Sequence, residues 1–288
     1  MDTSLRRDSP HRHPILNAQC DVPNSCDVSA NRRSEPMYSL GIKDDKAREH
    51  LRRQLQTIDV INTLHTKVSG TPDPGSELMS LNALAPDAPI SLLDSMIAGL
   101  ETARDCLVHI QAIFVDADKF ALVGVQSLAR AALLGAARVA FVLGPDDRAV
   151  REANTHIVLR QEAKSLLRAL DATAKFEHLR GMVPTEEFAS DMRARADTLL
   201  KADHYGEGKI IRLIAEETGK QTVEKLGDEA PEPLILVESL EWIWHSASGS
   251  AHAYGWPRVA GGDFVSDFGM VVPVVHIAME AAVRSWRA

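Results

Sequence analysis

The stretch EWIWHSASGSAHAYGWPR, residues 241–258, gathers the side chains best suited to chemistry. If it is helical, Glu241, His245, Ser248 and His252 fall at i, i+4, i+7 and i+11. Eleven residues at about 100° each return to within about 20° of the start, so the four share one stripe. A carboxylate, two imidazoles and a hydroxyl are groups of general acid–base and nucleophilic catalysis. Four groups on a single helix do not make a catalytic triad, which draws its members from separate elements. The competing reading is a polar face that meets solvent or a neighbouring helix. Gly249 in the middle of the stretch is a candidate end or bend of that helix.

The same histidines do not read as metal ligands. His245 and His252 are separated by about 10 Å along a helix axis, too far for one ion with bonds near 2 Å. No histidine has a glutamate three residues before it, which a ferritin-like di-iron site requires. No metal and no cofactor is expected. Walker, dinucleotide-binding, G-x-S-x-G and H-E-x-x-H motifs do not occur, so nucleotide hydrolysis, Rossmann and α/β-hydrolase chemistry have no support.

Two arginines sit in the most apolar segment, ALVGVQSLARAALLGAARVAFVLG. A charge on such a helix must find a partner or reach water. Arg130 and Arg138 therefore read either as structural ion pairs or as cations aimed into a polar pocket. Glu101, Asp105 and the His245–His252 stripe are the candidate partners. Arg160, Lys164 and Arg168, at i, i+4 and i+8, form a basic stripe that reads either as a grip for phosphate or, with Glu162 beside it, as a solvated face.

The elements that must position these groups are helical. Residues 44–67 carry an apolar stripe of Leu51, Leu55, Ile58 and Ile61 or Leu64. The Pro- and Gly-rich residues that follow read as a linker or long loop, with the main domain starting near Ile90. Further helices are expected over Ser91–Val115 with Ser91 as N-cap, Lys119–Leu143, Asp146–Leu170, Pro184 to about Ala202, and Lys209–Thr218 ending at Gly219. Pro231 or Pro233 opens another helix, and the last covers roughly Phe264–Trp286 with Pro273 as a kink. No period-two alternation appears. The expected class is all-α, a bundle of five to seven main helices, divided as a disordered tail (1–36), an N-terminal helix with linker (37–89) and a helical bundle domain (90–288).

The totals agree with that class. The chain has 288 residues, 45% of them hydrophobic, and a net charge of −8. That charge argues against holding nucleic acid by bulk electrostatics. Cys20, Cys26 and Cys106 make neither a disulfide framework nor a four-ligand zinc site. The segment Phe120–Leu143 is interrupted by Gln126, Ser127, Arg130 and Arg138, and reads as a buried core helix with no membrane span. The basic N-terminus lacks an apolar signal core, so the expected location is cytoplasmic, and Met37 is an alternative start.

The motif SGSAHAYGWP, residues 248–257, with RAALLGAAR at Arg130–Arg138, resembles an uncharacterised group of helical actinobacterial proteins. Their central helix reads roughly Arg-Ala-Ala-Leu-Glu-x-x-Ala-Arg and their late motif Ser-Gly-x-Ala-His-Gly. The resemblance spans about residues 90–286. This chain departs from it at Leu134, where the glutamate would stand, and at Ala253, where glycine is usual. The late motif is more distantly similar to the end of HEPN domains, helical bundles of which many cleave RNA in toxin and defence systems. The resemblance implies a histidine and an arginine acting at an RNA phosphate without metal. No arginine lies four to six residues before His252, so Arg130 or Arg138 would act from another helix.

The candidate centre is thus Arg130, Arg138, His245, Ser248 and His252. The leading expectation is a non-catalytic interaction or regulatory module that associates with a protein partner or with itself. The alternative is a HEPN-like ribonuclease with RNA as its substrate. Trp242, Trp244 and Trp256 are expected to wall the end of the bundle or a dimer seam.

Overall fold

The computed structural model describes residues 45–116, 122–226, 232–257 and 264–287, and among these described residues helix-forming periodicity carries through to nine α-helices, with a short 3-10 turn at Arg180–Met182 and no strand. They are α1 (Asp45–Thr66), α2 (Glu77–Asn82), α3 (Leu92–Asp116), α4 (Leu122–Leu143) and α5 (Arg148–Thr173), then α6 (Glu186–Leu199), α7 (Glu207–Leu226), α8 (Pro233–Ala251) and α9 (Phe264–Trp286). The chain is an all-α helical bundle. Seven of the nine begin after residue 90.

Local chemistry sets several helix starts. The Ser91 hydroxyl accepts from Asp94 N at 3.0 Å and donates to the Asp94 carboxylate at 2.6 Å, close to a capping box. Asp147 accepts from Ala149 N at 2.8 Å and caps α5. Thr185 accepts from Phe188 N at 3.2 Å and caps α6, so Pro184 stands just before the cap instead of in the first turn. Pro233 opens α8 at a position where its missing N–H costs nothing.

The central element is α4. It packs against α3, α5, α7, α8 and α9, as a helix apolar on nearly every side must. The α3–α4 crossing is close. A Cβ at Gly135 would stand 2.5 Å from the Gly99 carbonyl oxygen, and one at Gly99 would stand 3.0 Å from the Gly135 oxygen. The two backbones are in contact there, which requires both residues to lack a side chain. The described helices long and apolar enough to cross a membrane are α4 and α9, and 61% of each such window is buried inside the bundle.

Three expectations are corrected by packing. The stretch after α1 does not hang free as a linker: it holds α2, whose Leu78 and Leu81 are fully buried. The end of α9 ties this region down, with Trp286 Nε1 donating to Gly70 O at 2.9 Å and Asp73 N donating to Trp286 O at 3.0 Å. Residues 45–89 therefore share one compact unit with the later helices. Gly219 does not end α7, which runs on to Leu226 and packs at Gly219 against Pro233 at ordinary contact distance. Gly249 does not end α8 either. The tail at 1–36, with Cys20 and Cys26, lies outside the described residues.

Two measurements follow from this packing. Gly135→Ala should destabilise the fold by about 1–3 kcal/mol through overpacking, read as a fall in the urea midpoint. Gly70→Ala, where a Cβ meets nothing within 4 Å, should leave the midpoint within about 0.5 kcal/mol of wild type. The second concerns His65. Burial pushes its imidazole below the ordinary histidine range, Arg104 reinforces the shift, and Asp105 and Glu101 oppose it. The unfolded chain then binds the proton more readily. The His65 contribution is fully present above the ordinary histidine value and is lost as pH falls through it toward the lowered folded-state value. His65→Gln should flatten the fall in urea midpoint between pH 7.5 and 5.5 relative to wild type, and an unchanged slope would refute this origin.

Candidate functional site

Arg130 leaves the apolar body of α4 and meets three groups on two neighbouring helices. Its Nε donates to the Ser248 hydroxyl of α8 at 2.7 Å. Its guanidinium lies 4.1 Å from the centre of the Trp244 ring, one turn earlier on α8. Its terminal nitrogen stands 3.8 Å from the carboxylate of Glu207, the first residue of α7. Ser248 Oγ in turn donates to the Trp244 carbonyl at 2.6 Å, so the hydroxyl accepts one bond and donates one. The Arg130 side chain is 27% exposed. A guanidinium so placed has its charge balanced by a carboxylate, an aromatic face and a hydroxyl, each contributing on the order of 1 kcal/mol. The arrangement staples α4, α7 and α8 together.

Arg138 takes a different course. It lies about 12 Å further along the axis of α4 and pairs with Glu162 of α5. Its Nε is buried without a hydrogen-bond partner. The stripe on α8 thus receives Arg130 and not Arg138, and the acids expected at these arginines, Glu101 and Asp105, give way to Glu207 and Glu162. Asp105 and Arg104 pair with each other at 2.6 Å.

The rest of the stripe is open to solvent. Glu241 lies 3.5 Å from Arg212 of α7. His245 is exposed. His252 is also exposed and forms the C-cap of α8, its ring 6.0 Å from that of Tyr254. The helical register therefore holds from Glu241 to Ser248 and ends at the histidine. The two imidazoles do not share a closed centre with the two arginines. Lys164 of the basic stripe stands 3.4 Å from His204, and Arg168 is exposed.

The corner after α8 has a defined geometry. Ala253 N donates to Ser250 O at 3.0 Å and Tyr254 N to Gly249 O at 2.9 Å, the paired bonds of a Schellman motif. Its left-handed residue is Ala253, at φ 58°. The turn folds Trp256 and Pro257 back over α8, where a Cβ at Gly249 would lie 2.9 Å from both. Trp256 meets Trp242 edge-on, with ring centres 5.9 Å apart. Ser250 Oγ donates to Gln126 Oε1 at 2.8 Å and joins the corner to α4. The tryptophans thus brace the corner, and Trp244 is the platform for Arg130.

Sequence spacing pointed to neither Glu207 nor Gln126 as members of this region, because both contacts are made between helices. Among the described residues no group of three or more His, Cys, Asp or Glu is arranged to hold a metal ion. Cys106 is half-buried in α3, and burial pushes its thiol up. No known protein family matches the chain, and no curated protein or solved structure is similar to it.

An L-residue in the left-handed region costs roughly 1–2 kcal/mol. Ala253→Gly should therefore raise stability by about 1 kcal/mol, seen as a higher urea midpoint with an unchanged m-value. A neutral or destabilising result would contradict the assigned backbone conformation.

Proposed function

We propose that this chain is a non-catalytic helical interaction or regulatory module. The observation that carries this reading is the engagement of both nominated arginines. Arg130 is committed to Ser248, Trp244 and Glu207, and Arg138 to Glu162. Each therefore supports the bundle instead of facing a reacting group. The C-terminal helix α9 buries Phe268, Val271, Val275 and Met279 within the bundle, so its apolar length is used internally. The surface that favours association is the corner where α4 begins and α8 ends. Leu122, Val123, Tyr254 and Trp256 are all exposed there, and aromatic residues of this kind are enriched at interfaces. Its occupant in this reading is a second copy of the chain, with the protein in the cytoplasm.

One observation favours a second reading. Arg130 reaches α8 at Ser248, one turn before His252, which brings one arginine toward the histidine that the HEPN resemblance nominates. In that reading the chain cleaves RNA, with His252 as general base.

Sedimentation velocity at micromolar concentration tests the first reading. Wild type should sediment as a dimer, and Val123→Lys with Tyr254→Ser should sediment as a monomer with unchanged helix content. A strictly monomeric wild type rejects self-association. Incubation of total RNA with wild type and His252→Ala separates the two readings. Intact RNA in both samples is expected; cleavage that disappears in His252→Ala would replace the module by the ribonuclease.

A further inference from the structure

A second concave region shares none of the Arg130 contacts. It lies where the end of α4, the start of α5, the middle of α7 and the last turns of α9 converge, next to Tyr205. Its volume is about 690 Å³, within the range of roughly 300–1,000 Å³ that small-molecule sites occupy.

The inner wall is apolar and aromatic. Phe141 and Ile214 are buried there, and the Phe141 and Tyr205 rings stand 6.1 Å apart at 52°. Two polar side chains interrupt that wall, Asn154 at 8% exposure and Thr218 at 2%. The Asn154 amide nitrogen donates to the Phe141 carbonyl at 2.6 Å. That bond fixes the amide and leaves its oxygen as an acceptor. An apolar wall with a few oriented polar groups is the general form of a small-ligand site.

The charge around the opening has one dominant sign. Asp146, Asp147, Glu217 and Glu280 line it, against Arg284. Part of this charge is already engaged. Asp147 caps α5, Lys220 lies 3.8 Å from Glu217, and His276 lies 3.9 Å from Glu280. The balance remains negative, and the aromatic faces behind it also attract cations. An anion entering here would meet carboxylates, whereas an ammonium group would be drawn to them.

We propose that this cavity binds a small organic cation, an amine carried on an apolar body. The body lies against Phe141 and Ile214, and the ammonium group faces Glu217 and Glu280. Such a ligand bridges α4, α5, α7 and α9, so occupancy stabilises the packing of the helices that also carry Arg130 and Glu207.

Three probes with one body and different charge test the assignment: 4-phenylbutylamine, 4-phenylbutanol and 4-phenylbutyrate. Each is titrated calorimetrically into the full chain at pH 7.5. The amine should bind at least about tenfold tighter than the carboxylate, with the alcohol between them. Glu217→Gln with Glu280→Gln should weaken the amine several-fold and leave the alcohol unchanged. Ile214→Trp should fill the cavity and abolish amine binding, with circular dichroism and thermal melting reporting its fold. If that variant does not fold, Val150→Trp, placed at the exposed rim, should block entry instead. The proposal is overturned if no probe binds at millimolar concentration, or if the carboxylate binds as tightly as the amine. It is also overturned if a folded tryptophan variant binds the amine like wild type.

Discussion

The rest of the structure depends on how closely other helices approach α4. That helix is apolar on nearly every side and packs against five neighbours. Its small residues set the distances. At Gly135 the backbone of α3 comes so near that a methyl group would collide with the Gly99 carbonyl. A glycine inside a helix costs about 1 kcal/mol relative to alanine. The close crossing offsets that cost, because Leu100, Ala103, Leu133 and Val139 bury their surface around it. With α3 seated there, the remaining faces of α4 are left to α5, α7, α8 and α9.

A charge on such a helix has few acceptable positions, and the two arginines resolve the problem differently. Arg130 emerges where α7 and α8 meet and is balanced by a carboxylate, a ring and a hydroxyl. Arg138 emerges on the side of α5 and uses Glu162. Removing one partner of a half-buried pair leaves the other charge poorly solvated. The pairs therefore fix which helices sit beside α4 more than they add to stability. The same constraint explains why a polar stripe legible on α8 does not become an enclosed centre. Only Ser248 of that stripe points toward α4, and His245 and His252 remain in water.

The Arg130 staple and the acidic cavity share elements. The Arg130 staple uses the start of α7, and the acidic cavity uses its middle. Both also draw on α4. A ligand that tightens α7 against α4 at the cavity acts on the same helix pair that Glu207 and Arg130 hold. The exposed corner at Tyr254 and Trp256 hangs on α8, which packs against α7. Cavity and staple thus share α4 and α7, and staple and corner share α4 and α8.

Much of the fold was written locally. The apolar spacing of Leu51, Ile58 and Ile61 predicts the buried side of α1, and Ser91 and Asp147 mark two helix starts through side chains that cap their own backbones. These are interactions between residues a few positions apart, so the sequence by itself determines them. It also determines that Arg130 and Arg138 need partners or water, since a charge on so apolar a segment must be solvated or paired whatever the fold. It does not determine which partners. Arg130 and Ser248 are 118 residues apart in the chain, and no spacing rule relates them. Gly219 and Gly249 read as helix ends because glycine disfavours helix. Tertiary structure decided otherwise: α7 continues past Gly219 to Leu226, and at Gly249 the Trp256 ring needs the space that a side chain would fill. The cavity is likewise a property of four converging helices, and its lining residues acquire a common purpose only when those helices are packed.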